Sequence, residues 1–362
     1  MNLVAAHAVI AGRLEPQVHI EFTNEVITSI EVNSGLAPTV KGTLIPGFVD
    51  IHTHGAGGYY FSALNPDQIS AVVNTHMAHG TTSMLASLVS EPIESLITQI
   101  KALLPFINQS AVRGIHLEGP YLAHSHCGAH DPALLRRPAI DELKEMIAAS
   151  ENTIRMVTIA PELDGAIPAI EFLVGQGITV ALGHTGADPI ATRAAIKAGA
   201  SIITHFNNGM PKLDTGDNIS SVSLDDPTIA LELILDGVHV NDESVRRILK
   251  LAPDRIIAVT DAMSAAGGGD GTYTIGKLDV LVKDGIARLT SKGSLAGSTL
   301  TMDRAFLNLI NNFGLSIADA SFAVSTLPAS RIGLDNVGSI EIGKRPDFLE
   351  FTNNGEIKVL KS

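Results

Sequence analysis

Between Phe48 and Asn311, short apolar runs alternate with amphipathic, capped stretches, and this alternation restricts the fold more than any other property of the chain. Apolar runs separated by amphipathic helices call for parallel strands covered by helices. Eight such runs can be counted: Phe48–His54, Thr81–Leu88, Arg113–Glu118, Ile154–Ile159, Thr179–His184, Ser201–His205, Ile229–Leu235 and Ile256–Asp261. Between most of them lies a helix. Asn65 caps Pro66–Ala78 ahead of a proline, and Pro92–Leu104, Ile140–Ala149, Ala166–Gly175, Pro189–Ala198 and Asp242–Leu251 follow the same logic, with Leu300–Asn311 closing the last unit. The sixth connection, Pro211–Asp226, is polar and reads as a loop over the site. Eight β/α units in about 250 residues are the measure of a (β/α)8, TIM-like barrel, here expected over residues 47–337.

The flanks read differently. Leu3–Ile10, Gln17–Phe22, Val26–Val32 and Gly42–Ile45 alternate like short antiparallel strands, as do Tyr273–Leu278, Val280–Lys283, Ile286–Thr290, Asp347–Thr352 and Glu356–Leu360. The expectation is a small β-sandwich domain built from both chain ends, residues 1–46 with 272–291 and 338–362.

In such a barrel the active site lies at the C-terminal ends of the strands. The first run ends in His52 and His54, the third in Glu118, the fifth in His184, the sixth in His205 and the eighth in Asp261. Residues i and i+2 of a strand share a face, so His52 and His54 reach one point together. Six metal-ligand side chains then converge on one mouth, which argues for a bound divalent ion.

Composition narrows the partners. The net charge of −13, without a Lys/Arg-rich run, disfavours nucleic acid and anionic membranes and favours a small molecule. Aromatics make up only 4% of the chain and tryptophan is absent, so stacking platforms are scarce. The single cysteine, Cys127, excludes an internal disulfide and fits a reducing compartment. With no basic signal-like start and no apolar run of roughly 18 residues, a cytoplasmic protein is expected.

The motifs HTHG (52–55), HLEGP (116–120), GAH (128–130), GHT (183–185), THFNNGM (204–210), DGVHV (236–240), VTDAM (259–263) and LAGSTLTMD (295–303) occur in this order along the chain. Together they resemble the N-acetylglucosamine-6-phosphate deacetylase family of the amidohydrolase superfamily. The resemblance implies that Glu118, His184 and His205 hold a metal and that His52 and His54 hold a second, with Glu118 between them. The expected cofactor is one or two divalent ions per chain, zinc first, with iron, manganese or cobalt as alternatives. It also implies that Asp261 is the catalytic aspartate. His130, Asn208, Gly209 and His239 resemble the residues that hold the sugar and the acetamide, with Ala129, Leu295 and Gly297 beside them. A homodimer is implied as well.

Elementary chemistry agrees. An amide is a poor electrophile and water a poor nucleophile, and a divalent ion lowers the water pKa to about 7 while polarising the carbonyl. Asp261 can accept the water proton and hand it to the departing nitrogen, and His239 can stabilise the oxyanion or a sugar hydroxyl.

Other histidines carry plainer readings. His124 and His126 repeat the His-x-His spacing in a loop with no strand to align them, and Cys127 reads as a small apolar loop residue. His116 reads as a core or supporting histidine, and His76 and His79 as imidazolium ions favoured near a helix C-terminus. Gly267–Gly269 is a turn, without the context of a phosphate loop.

One departure concerns the phosphate. Members of the family carry an arginine in the loop after strand six, whereas residues 211–218 contain none and place Asp217 there, with Lys212 as the nearby cation. The expected reaction is hydrolysis of the acetamide of N-acetylglucosamine 6-phosphate, in amino-sugar catabolism. The alternative is an unphosphorylated or different N-acyl amino sugar, or another small amide. A silent binding protein on the same barrel would be expected to lack Asp261 or a ligand.

Overall fold

The computed structural model describes residues 1–276 and 278–360. Eight parallel strands form one sheet in sequence order: Phe48–Thr53, Thr81–Leu88, Val112–Glu118, Ile154–Ile159, Thr179–Leu182, Ile202–Ile203, Ala230–Ile234 and Ile256–Val259. The barrel closes just beyond the eighth strand, where Asp261 N–H donates to the His52 carbonyl at 2.8 Å and His54 N–H to that of Ala262 at 2.9 Å. Buried Asp50 staples this seam, accepting from the Thr260 hydroxyl at 2.6 Å and from the His52 and Thr260 amides at 3.3 Å. Burial pushes its carboxyl up to about 7 against these bonds.

The helices start where side chains can satisfy their first amides. Asn65 accepts from Asp67 N–H, Asp188 from Ala191 N–H and Asn241 from Ser244 N–H. The sixth connection departs from the expected loop. Asn218 and Ser221 form a capping box that opens a helix at Ile219–Asp225, whose Ile219, Val222 and Leu224 are buried. After Met302–Asn311 the chain adds a helical run, Ile317–Arg331, that packs on the first and eighth strands.

The terminal strands Asn2–Ile10, Arg13–Phe22, Ile27–Glu31, Val40–Pro46, Phe348–Phe351 and Ile357–Val359 form one six-stranded sheet. Its own apolar core includes Ala8, Ile20, Leu44 and Phe348. The hairpin strands Gly271–Ile275, Leu278–Lys283 and Ile286–Leu289 do not join it, contrary to the expected sandwich. They make a separate antiparallel sheet whose core includes Val280, Val282 and Leu289 together with the loop residues Met263 and Ala296. Their apolar face is claimed by loops around the eighth strand, so the sheet overhangs the barrel mouth. Of the stretches assigned to the sandwich, positions 277, 361 and 362 lie outside the described residues.

Candidate active site and metal centre

His52 and His54 leave the first strand on one face, as the pleat requires, and their Nε2 atoms stand 3.1 Å apart. Asp261 Oδ1 lies 3.5 Å from the first and 3.4 Å from the second. A second group forms beside this one, with His184 Nε2 and His205 Nε2 3.1 Å apart and 3.2 and 3.0 Å from Glu118 Oε1. The other oxygen of Glu118 faces the first group, 3.1 Å from His54 Nε2 and 3.6 Å from His52 Nε2. One carboxylate therefore spans two clusters, and all six side chains are buried.

The tautomers follow from the outer ring nitrogens. His184 Nδ1 donates to the His126 carbonyl at 2.7 Å, His54 Nδ1 to the Ser87 carbonyl at 3.3 Å and His52 Nδ1 to Glu232 at 3.0 Å. In the neutral rings this leaves three Nε2 lone pairs aimed inward at carboxylate oxygens, an arrangement that repels itself unless positive charge lies between. Tetrahedral Zn–N bonds of 2.0–2.1 Å put neighbouring ligand atoms about 3.3 Å apart, close to the separations observed. The residues present fit a divalent ion in each group.

Electrostatics point the same way. Burial would lower His54, but Asp261 and Glu118 outweigh it and lift the ring to about 9. Burial would raise Glu118, and His52 with the bonds from His130, His184 and His205 holds it well below the carboxylate range. Asp261 is likewise held down against burial, by His52 and His54.

The backbone contributes strain. His184, His205 and Asp261 sit just past their strands with φ of 47°, 29° and 45°, values a side chain with a Cβ rarely adopts. Around His184 two glycines leave no spare room: a Cβ on Gly128 would stand 2.8 Å from its Cε1, and one on Gly209 3.0 Å from its Nδ1. Asp261 is held in register by the 295–298 segment, since Ser298 N–H donates to its carbonyl at 2.8 Å.

Above the carboxylate pair a cavity opens. Its lining includes Ala129, His130, Asn208, Gly209, His239, Leu295 and Gly297, so every residue expected to touch substrate borders the same space. His130 differs from the four inward histidines. Its Nδ1 accepts from Ser90 N–H at 3.4 Å, so its Nε2 carries the proton and faces Glu118 Oε2 at 3.5 Å as a donor. His239 Nδ1 donates to Asp236 at 2.7 Å, an i,i+3 pair that fixes the ring toward the cavity.

The remaining histidines divide. His116 is neutral between Ser87 and Thr158, each at 2.9 Å, with burial depressing its basicity. His126 serves the site through its carbonyl, while its ring pairs with Ser125. His76 is not the expected imidazolium: buried against Thr53 and the Gly55 carbonyl, it is pushed down to about 4. His79 does pair with Asp303, at 2.9 Å, and that bond raises it against partial burial.

Three carboxylates that orient the site were not recognised in sequence. Glu232 had a signal, as a lone acid inside the apolar run Ala230–Ile234. It also accepts from His205 N–H at 3.1 Å, tying the two clusters together. Asp236 and Asp50 had only their nearness in sequence to His239 and His52. The cavity also takes Val89 and Ile275 as apolar walls, from a strand end and from the overhanging sheet.

Comparison with known proteins agrees with this geometry. Residues 43–360 match the model of the amidohydrolase family. An N-acetylgalactosamine-6-phosphate deacetylase of Escherichia coli O157:H7 is 37% identical over 83% of this chain and 81% of its own. The N-acetylglucosamine-6-phosphate deacetylase of Vibrio furnissii is 33% identical over 92% and 86%. Among solved structures, a mutant N-acetyl-D-glucosamine-6-phosphate deacetylase from Mycobacterium smegmatis, in complex with N-acetyl-D-glucosamine-6-phosphate, is 36% identical and superimposes with a TM-score of 0.94 over 100% of this chain and 97% of that one. With buried histidine–carboxylate clusters at the mouth of an eight-stranded barrel, this chain belongs to the amidohydrolase family, as a metal-dependent amide hydrolase of the hexosamine-6-phosphate deacetylase group.

Proposed function

We propose that the chain hydrolyses the acetamide of N-acetylglucosamine 6-phosphate to glucosamine 6-phosphate and acetate, in amino-sugar catabolism. The observation that carries this is Glu118 spanning two histidine clusters with Asp261 at the cavity floor. Zinc is the metal this reading favours, one or two ions per chain, in a cytoplasmic homodimer. When bound, such an ion lowers the water pKa to about 7 and polarises the amide carbonyl. Asp261 takes the water proton and returns it to the nitrogen, so that the C–N bond breaks with a neutral amine leaving. His130, as an N–H donor, and His239 border the space for the carbonyl oxygen and the sugar hydroxyls.

The phosphate needs its own account. No lysine or arginine occurs among the described residues lining the cavity. Lys212 is exposed, with its ammonium on the Asn207 carbonyl, and Asp217 is exposed as well. A second reading, the galactosamine epimer, is favoured by the Escherichia coli relative. The test compares kcat/KM for N-acetylglucosamine with and without the 6-phosphate, and for the 6-phosphate of N-acetylgalactosamine, in wild type and Asp217→Arg. A phosphate preference above about a hundredfold, roughly 2.7 kcal/mol, supports the proposal. Equal rates with and without phosphate in wild type sink it in favour of the unphosphorylated sugar. Metal analysis and chelation complete the test, and full activity in metal-free protein overturns the mechanism.

A further inference from the structure

Between the strands that carry the two clusters runs a chain of buried hydrogen bonds. The Ser87 hydroxyl, near the end of the second strand, accepts from Thr53 N–H at 3.0 Å, and the carbonyl of the same residue accepts from His54 Nδ1. That hydroxyl also meets His116 Nδ1 at 2.9 Å, His116 Nε2 meets the Thr158 hydroxyl at 2.9 Å, and Thr158 meets the Thr204 hydroxyl at 2.9 Å. Each end abuts metal-ligand residues. Thr53 lies between His52 and His54, Thr204 immediately precedes His205, and His116 shares a face of the third strand with Glu118. Glu232 completes the circuit, accepting from both His52 Nδ1 and His205 N–H. The path passes over the fifth strand, and a glycine permits the crossing: a Cβ on Gly183 would stand 2.7 Å from the Cβ of Thr204 and 3.0 Å from Cγ2 of Thr158. From Thr53 to Thr204 no member is more than 2% exposed, so water cannot replace a broken link.

We propose that this belt is the spacer of a two-ion centre, with His116 and Thr158 as positioning residues. This rests on the two-ion form of the reading given under Proposed function. Glu118 turns one oxygen to each cluster, so it serves both only at one separation between them. Metal–ligand distances tolerate deviations of only about 0.2 Å. With one ion bound, Glu118 is free to turn toward a single cluster and the separation matters little. With two, both oxygens are committed, and the belt acts on the ion that binds second.

The experiment adds Mn²⁺ to the metal-free protein and reads the two stepwise dissociation constants together with the spin-coupled paramagnetic resonance signal of a bridged ion pair. Wild type should take two ions and show the paired signal. Thr158→Val, which keeps the shape and removes both links, should weaken the second ion about 10- to 100-fold, leave the first nearly unchanged and lose the paired signal. Thr158→Ser keeps the hydroxyl and should restore both. Thr204→Val cuts only the last link and should show the same pattern more weakly; it decides the matter if Thr158→Val does not fold. Equal weakening of both ions in the valine variants, or a Thr158→Ser that behaves like Thr158→Val, marks a merely structural role and overturns the spacer. A wild type that holds one ion at saturation and still turns over the acetylated sugar phosphate also overturns it, leaving the deacetylase reading intact. Two paired ions, lost and restored as above, without turnover of any N-acetylhexosamine 6-phosphate support the spacer and remove the deacetylase reading.

Discussion

The two ligand clusters are built in opposite ways. His52 and His54 are consecutive same-face residues at the end of a strand, and the pleat alone brings their Nε2 atoms to 3.1 Å. His184 and His205 reach the same separation from different strands, each on left-handed backbone beyond a short strand. The first pair is oriented by side-chain and carbonyl acceptors, Glu232 and Ser87. In the second, only His184 has such an acceptor; the Nδ1 of His205 is buried without one. A ligand pair can thus be placed by local periodicity and trimmed by supports, or held by strained turns that packing must keep in place.

The largest expected effect ignores this contrast, because Asp261 belongs to the chemistry and not to either mode of support. Asp261→Asn should lower kcat by about 100- to 10,000-fold while KM stays within a few-fold, since an amide cannot shuttle the proton. Near-normal kcat in this variant would falsify its role as base.

The supports come next. Glu232→Gln keeps a carbonyl oxygen for the His205 amide but removes the charge behind His52. It should weaken metal retention in the His52–His54 cluster about 10- to 100-fold, read as the first ion lost in a chelator titration followed by metal analysis. Simultaneous loss of both ions would show that the clusters are not separately supported.

On the other side, Gly209→Ala meets His184 at 3.0 Å and also needs φ of 56°. It should release metal first from the Glu118–His184–His205 cluster and lower stability by about 1 kcal/mol or somewhat more. Gly128→Ala, at 2.8 Å from the same ring, should behave alike. If either variant instead empties the His52–His54 cluster first, the division into pleat-built and turn-built halves fails.

The smallest effect lies away from the mouth and serves as a control for pH. His79 is raised by its bond to Asp303, against partial burial, and Asp303 is held down by His79 against its own burial. A raised folded-state pKa means that the histidine's contribution is fully present below its unfolded value of about 6.5 and fades as pH rises through the folded value. The carboxylate's share is lost only in acid. The Tm gap between wild type and Asp303→Asn should therefore be largest near pH 5–6 and shrink toward pH 9. The pair is partly exposed, so the gap is worth roughly a few tenths of a kcal/mol. A gap that widens with rising pH contradicts the assignment.

Much of this is legible in the amino-acid sequence. Eight apolar runs with capped helices pointed to the barrel, and the residues at the ends of five of them pointed to the site, because both periodicity and strand direction are local properties. The capping box at Asn218 and Ser221 was written in the chain as well, yet so polar a stretch hid its helix. Where the Gly271–Leu289 strands go was not legible, since an amphipathic hairpin carries one apolar face and no statement of what covers it. Its partners, Met263 and Ala296, are loop residues.

The sequence by itself therefore determined the class of fold and the identities of the six ligand-type residues. Only the tertiary structure decided that Glu118 turns one oxygen to each cluster and that Glu232 reaches across 180 positions to His52. It alone pushed His76 down to about 4 and raised His79, although the two lie three positions apart in one helix and its cap. The physical reason is that tautomer, charge and bridging geometry depend on which groups surround an atom after burial, and those groups come from strands far apart in the chain.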